Sequence, residues 1–162
     1  MWLNVNWYAV HKNIYKDESH INFFNRQEGM RAFIPKVEKW YGASHVRNYV
    51  LKDLYPDYMF IVTHMDKEVL FKKYKEFLYS ENNILTLSDE EQSLMEFFYS
   101  NSDEIKHSVG NIVNSKLIVD KGPLLNYEGK ITKIDRHHRT ATLKSIFLND
   151  KFLVPLEVVS KS

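Results

Sequence analysis

The stretch "LIVDKGPLLNYEGKITKIDRHHRTATLK", Leu117 to Lys144, puts two turn signals, two alternating runs and a knot of basic residues into one short segment. Gly122 and Pro123 end a first strand, Asn126 tolerates the left-handed backbone region, and Gly129 restarts the chain before "KITKID", where Ile131 and Ile134 flank Lys133. The next turn, "DRHHRT", gathers Arg136, His137, His138 and Arg139 at a loop, with Lys130, Lys133 and Lys144 on the flanking strands. An RNA backbone fits such a place. The planar fork of arginine binds phosphate or a guanine edge through two hydrogen bonds, and histidine stacks on a base or donates to phosphate. A solvated hairpin tip has the same composition, so charge alone does not assign the role.

Working outward, "KLIVDKG", "GKITKIDR", "TATLKSIF" and "KFLVPLEVV" are four short strand candidates separated by turn chemistry. This pattern predicts a small C-terminal β-barrel over residues 116–162, with a thin core and modest stability. Upstream, strand-like and helix-like patterns alternate. "NWYAVHK" predicts a strand, and Lys16 to Gln27 a helix with Ile21 and Phe24 on one face, stopped at Gly29. "RAFIPKVEKWY" and "HVRNYVLKDL" read as a hairpin around "GAS", and "YMFIVTH" as a further strand. Asp66 offers an N-cap to a helix carrying Leu70, Tyr74 and Phe77 at helical spacing. Ser88 and Glu91 have capping-box spacing at the start of a third helix, where Asp89 and Glu90 favour the helix dipole. The expected class is α+β: an N-terminal antiparallel sheet flanked by helices over 1–104, a linker over 105–115, then the barrel.

The net charge of +1 conceals an asymmetry. Residues 115–162 hold 9 Lys or Arg against 5 Asp or Glu, net +4; the remaining 13 against 16 give −3. The C-terminal piece is therefore the one suited to phosphate. Apolar content of 44% and charged content of 27% are near globular averages, and no window approaches 18 apolar residues, so no membrane partner is expected. The N-terminus carries no basic leader, and the absence of cysteine suits a reducing compartment, so a cytoplasmic protein is expected. The chain has no Gly-x-Ser-x-Gly turn, no P-loop and no His-Glu-x-x-His helix, which argues against an enzyme; no catalytic residue, cofactor or metal is expected. Adjacent His137 and His138 would point to opposite faces of a strand, with no carboxylate or histidine cluster to complete a metal set.

"VDKGPLLNYEGKITKID" resembles a KOW motif, with Val119, Gly122, Pro123, Leu124, Gly129 and Ile131 in matching positions and Asn126 replacing a frequent turn glycine. "WYAV" (Trp7 to Val10), "FIPKVE" (Phe33 to Glu38) and "LYPDYMFI" (Leu54 to Ile61) resemble, in order and spacing, the N-terminal domain of the NusG family. The family's usual Pro-Gly-Tyr is Pro56-Asp57-Tyr58 here, which leaves a glycine-dependent turn to an aspartate, and its arginine-rich stretch is reduced to "YGASHVRNYVLKD". The tail from Gly122 onward is similar to specialised paralogs of the LoaP type.

The resemblance implies a non-enzymatic transcription factor that binds the clamp of bacterial RNA polymerase. Trp7, Tyr8, Tyr55, Pro56 and Tyr58 would then contribute to or border the apolar surface that receives the clamp. For LoaP-type relatives it implies recognition of a nascent RNA hairpin and readthrough of terminators, a role that fits Lys130, Lys133, Arg136, His137, His138, Arg139 and Lys144. The alternative is a general NusG-type elongation factor whose KOW domain recruits a ribosomal protein or a termination factor. A ribosome-associated KOW protein is a third reading, disfavoured by the pair of domains.

Overall fold

Four consecutive side chains, Trp7 to Val10, are buried on β1 (Asn6–His11), an inner strand of its sheet with side chains packed on both faces. The computed structural model describes residues 4–11, 18–43 and 47–162, and the chain forms two units. The first takes residues 1–35 and 53–93, the second 36–52 and 94–162. The beginning of the helix expected from Lys16 and the tip of the expected hairpin, 44–46, fall outside the described residues.

The first unit is built on the sheet β2-β5-β1-β6, with β2 (Met30–Phe33), β5 (Tyr58–Thr63) and β6 (Ile84–Thr86). All its pairings are antiparallel. Helices α1 (Ser19–Asn25) and α2 (Lys67–Leu78) supply Phe24, Leu70, Tyr74 and Leu78 to a buried cluster with Tyr8, Val10, Met59 and Ile61. Phe23 stacks on Phe77 with centroids 4.2 Å apart, which fastens α1 to α2 through offset aromatic contact. Both expected caps form. The Asp66 carboxylate accepts from the Val69 amide at 2.9 Å. At α3 (Asp89–Tyr99), Glu91 accepts from the Ser88 amide at 2.9 Å, while the Ser88 hydroxyl accepts from the Glu91 amide at 3.1 Å, so the capping box satisfies two orphan donors reciprocally.

The run "RAFIPKVEKWY" is not one strand. It breaks at Ile34 and Pro35, since proline supplies no ladder donor, and β3 (Lys36–Tyr41) joins a different sheet, β4-β3-β7, with β4 (Asn48–Asp53) and β7 (Glu104–Ile105). β3 and β7 run parallel.

The second unit also carries the sheet β10-β11-β12-β8-β9, built from β8 (Ser108–Val113), β9 (Lys116–Lys121), β10 (Ile131–Asp135), β11 (Thr140–Phe147) and β12 (Asp150–Lys161). The stretch expected as a linker, 105–115, includes the whole of β8, whose burial alternates as a half-buried strand does and whose turn into β9 is made by Asn114 and Ser115 at φ 51° and 65°. The strands expected as a small β-barrel lie in this sheet, whose edges are β9 and β10, and no ladder joins those edges among the described residues. The parallel pairing of β12 with β8 places β8 inside the sheet, an addition that four predicted strands could not anticipate. Nor is the core made by strands alone, because Phe98 of α3 stacks on Phe152 with centroids 5.7 Å apart.

Gly122 is required twice over. Its φ is +105°, and a Cβ there would lie 2.5 Å from the Ser108 Cα, while Ser108, fully buried, accepts a hydrogen bond from the Leu124 amide at 2.9 Å. Gly129 has open space where its Cβ would stand. Gly122→Ala should therefore cost more than about 1 kcal/mol, whereas Gly129→Ala should change stability by less than about 0.5 kcal/mol, as read by thermal unfolding in far-UV circular dichroism.

Candidate functional site

The basic turn closes the β10–β11 hairpin, whose last pair is Asp135 with Thr140. Asp135 organises it: one carboxylate oxygen accepts from the His138 amide at 3.0 Å, and the other meets the His138 Nδ1 at 2.8 Å. These contacts, the amide foremost, hold the Asp135 carboxyl below its ordinary pKa. The folded carboxyl binds its proton later than the unfolded one as pH falls, so the turn's order is complete above the ordinary carboxylate range and is lost as pH drops through the lowered value. The His138 amide shift in NMR should titrate below the range of an unperturbed aspartate. Arg136 and His137 are exposed, and Arg136 makes no ion pair among the described residues.

Arg139 behaves differently. It adopts φ 53°, and its guanidinium turns away from the tip to lie 3.6 Å from the Trp40 ring centroid and to donate to the Glu157 carboxylate. Trp40 in turn packs on Tyr49 at 5.1 Å, Tyr49 stacks on His107 at 3.9 Å, and the His107 amide and ring both bond the Glu38 carboxylate. Burial pushes the Tyr49 hydroxyl pKa up, the neighbouring Arg139 opposing it. Arg139 is thus engaged in holding the turn against β3, β4 and β12, and it is only half exposed.

Around it lies a cleft of about 510 Å³ lined by Trp40, Gly42, Ala43, Arg47, Arg136, His137, His138 and Arg139. The four turn residues expected from sequence are therefore brought together, while Lys130 and Lys144 stand exposed outside the lining. Lys133 borders a separate cleft of about 420 Å³ with Leu117, Ile131 and Ile134. Sequence reasoning did not find Trp40, Arg47 or Glu157, and no local signal marks them; they reach the site through sheet pairing alone.

The residues tied to polymerase binding divide similarly. Trp7 and Tyr8 are 3% and 2% exposed, so neither side chain forms a surface. Trp7 meets Phe33 edge to face at 5.9 Å, and Tyr8 donates to the Met65 carbonyl at 2.8 Å. Burial, with the Asp66 charge nearby, drives the Tyr8 pKa up to about 12. Tyr55, Pro56 and Tyr58 form the turn before β5, closed by the Tyr58 amide donating to the Tyr55 carbonyl at 3.1 Å, and Pro56 is exposed. Asp57 does not have positive φ, so this turn needs no glycine, and the expected reliance on unusual aspartate angles is corrected.

Among the described residues no group of three or more His, Asp or Glu is placed to hold a metal ion, and no helix is long and apolar enough to cross a membrane. An α+β chain with a fully antiparallel sheet in one unit and a cationic cleft in the other is the class the structure defines. The family model for transcription termination factor NusG matches residues 5–96, more than half of the chain. The chain belongs to the NusG family. No curated protein matches it.

Arg139→Ala should remove both the cation–π and the ion-pair interaction and lower stability by about 1–3 kcal/mol, whereas Arg136→Ala should leave it within about 0.5 kcal/mol, both read from urea unfolding.

Proposed function

We propose that this NusG-family chain is an operon-specific antitermination and elongation factor of the LoaP type. Its N-terminal part, residues 1–104, would bind the clamp of RNA polymerase, and its C-terminal part, residues 116–162, would serve as a KOW module for a nascent RNA hairpin. Membership of the family supports the polymerase half, since NusG proteins are non-enzymatic transcription factors that bind RNA polymerase in the cytoplasm. Tyr55, Pro56 and Tyr58 supply the apolar surface in this reading, with buried Trp7 and Tyr8 supporting the sheet beneath it.

The RNA half rests on one observation: Lys130, Lys133, Arg136, His137 and Lys144 are exposed side chains on a single hairpin and its approach, within residues 115–162, which carry net charge +4. In this reading Arg139, which also lines the cleft, positions the turn through Trp40 and Glu157. One chain holding both polymerase and transcript raises the effective concentration of each for the other, which accounts for selectivity without very tight binding to either. A factor that prefers the elongating clamp to the paused one shifts the population toward elongation by that difference in affinity.

Equilibrium binding of the purified chain to leader RNA from its own gene neighbourhood, beside a scrambled hairpin at two salt concentrations, tests the reading. Preference for the native hairpin that survives higher salt is expected. Lys133→Ala with Arg136→Ala should weaken binding and flatten the logarithmic salt dependence by about 0.7–0.9 for each phosphate no longer neutralised. Equal, salt-sensitive binding to both RNAs, or none, would instead favour a general elongation factor whose C-terminal module recruits a ribosomal protein or a termination factor.

A further inference from the structure

The cleft beside the basic turn has a second wall that the turn does not provide. Arg47 and the segment Gly42–Ala43 come from the β3–β4 hairpin, far from Arg136 to Arg139 in sequence but within the same structural unit. Arg47 is exposed, as Arg136 is, and neither makes an ion pair among the described residues.

The electrostatics of the cleft follow from which acids are engaged. Among the described residues no carboxylate belongs to the lining. The two that meet its lining residues are both engaged: Asp135 by the His138 amide and ring, and Glu157 by Arg139. With His138 and Arg139 compensated in this way, Arg47 and Arg136 remain as full positive charges on one opening, with His137 also in the lining. The floor is rigid. Arg139 lies against the Trp40 ring, and a Cβ on Gly42 would stand 2.9 Å from the Trp40 Nε1, so a glycine at this place lets the backbone run along the indole edge without filling the mouth. A volume of about 510 Å³ suits a group the size of a sugar phosphate.

We infer that this cleft is a composite phosphodiester site, in which Arg47 from the β3–β4 hairpin and Arg136 from the β10–β11 turn grip one backbone phosphate of a bound RNA. The inference rests on the RNA-binding reading above and adds to it a residue outside the C-terminal module. In this inference Arg47 meets phosphate and not a base edge, because two arginines on one opening match the charge of a phosphodiester. Its contribution is therefore blind to RNA sequence and screened by salt.

The test is binding of the full chain and of Arg47→Ala, Arg47→Lys and Arg136→Ala variants to the leader hairpin and to its scrambled version across a salt series. Arg47→Ala should weaken both RNAs by the same factor, roughly tenfold, and flatten the salt slope by about 0.7–0.9. Arg47→Lys should restore the slope, because lysine keeps the point charge. Unfolding curves of the variants should overlay that of the parent, as Arg47 is exposed. If Arg136→Ala weakens binding while Arg47→Ala leaves affinity and slope unchanged, the composite site is wrong and the RNA-binding reading stands. If the parent chain binds neither RNA, both fall together.

Discussion

Arg139 is the contact on which the second unit turns. A left-handed residue at the end of a hairpin loop would ordinarily be glycine or asparagine, because a Cβ there crowds the following carbonyl and costs about 1–2 kcal/mol. An arginine is held in that conformation by what its side chain finds: an indole face on β3 and a carboxylate on β12. A cation–π interaction of about 1–2 kcal/mol in a partly desolvated place offsets the backbone term, and removing either partner would strand the other. One side chain thereby ties together three strands that are distant in sequence. The same geometry fixes the directions in which Arg136 and His137 leave the turn.

Local chemistry was legible in the sequence, and long-range pairing was not. The caps at Asp66 and Ser88 appear as expected because an N-cap is decided within four residues. Asn126 and Gly122 take positive φ as their residue types required. β8 escapes a reading by pattern because "SVGNIV" places Gly110 and Asn111 in the middle of its alternation, and Gly110 is there for a tertiary reason: a Cβ would meet the Ile118 carbonyl of β9 at 2.6 Å. The run through Pro35 reads as one strand because β-branched and aromatic residues continue across it, yet the proline marks a change of sheet. At the site, the basic turn was visible as composition, but Trp40, Arg47 and Glu157 carry no mark of their role in the primary structure. They became neighbours only when two hairpins and the end of β12 converged.

The burial of Trp7 and Tyr8 follows from topology. β1 is paired on both sides, with β5 and with β6, and packed on both faces: Tyr8 and Val10 join the cluster supplied by α1 and α2, while Trp7 packs with Phe33 on the opposite face, so the strand reads as a continuous apolar run and not an alternation. A recognisable "WYAV" segment is thus a marker of the sheet's centre. The surface this sheet can present lies at its connections, where Pro56 stands exposed in a turn made without glycine.

The arrangement of charge around the cleft separates residues that build from residues that bind. A bare cluster of five cationic or titratable groups would repel itself, and its members would spread into solvent. Here two of the five are engaged by acids within the fold, His138 by Asp135 and Arg139 by Glu157, so local repulsion falls. In the proposed RNA role the remaining groups, Arg136 and His137 on the turn and Arg47 on the second hairpin, would keep their hydration until a polyanion displaced it. A preorganised site loses less side-chain entropy on binding than a flexible basic tail of equal charge. Selectivity in the proposed RNA role would then come from which backbone shapes can place a phosphate between two fixed hairpins, a form of recognition suited to a folded RNA and not to a particular base.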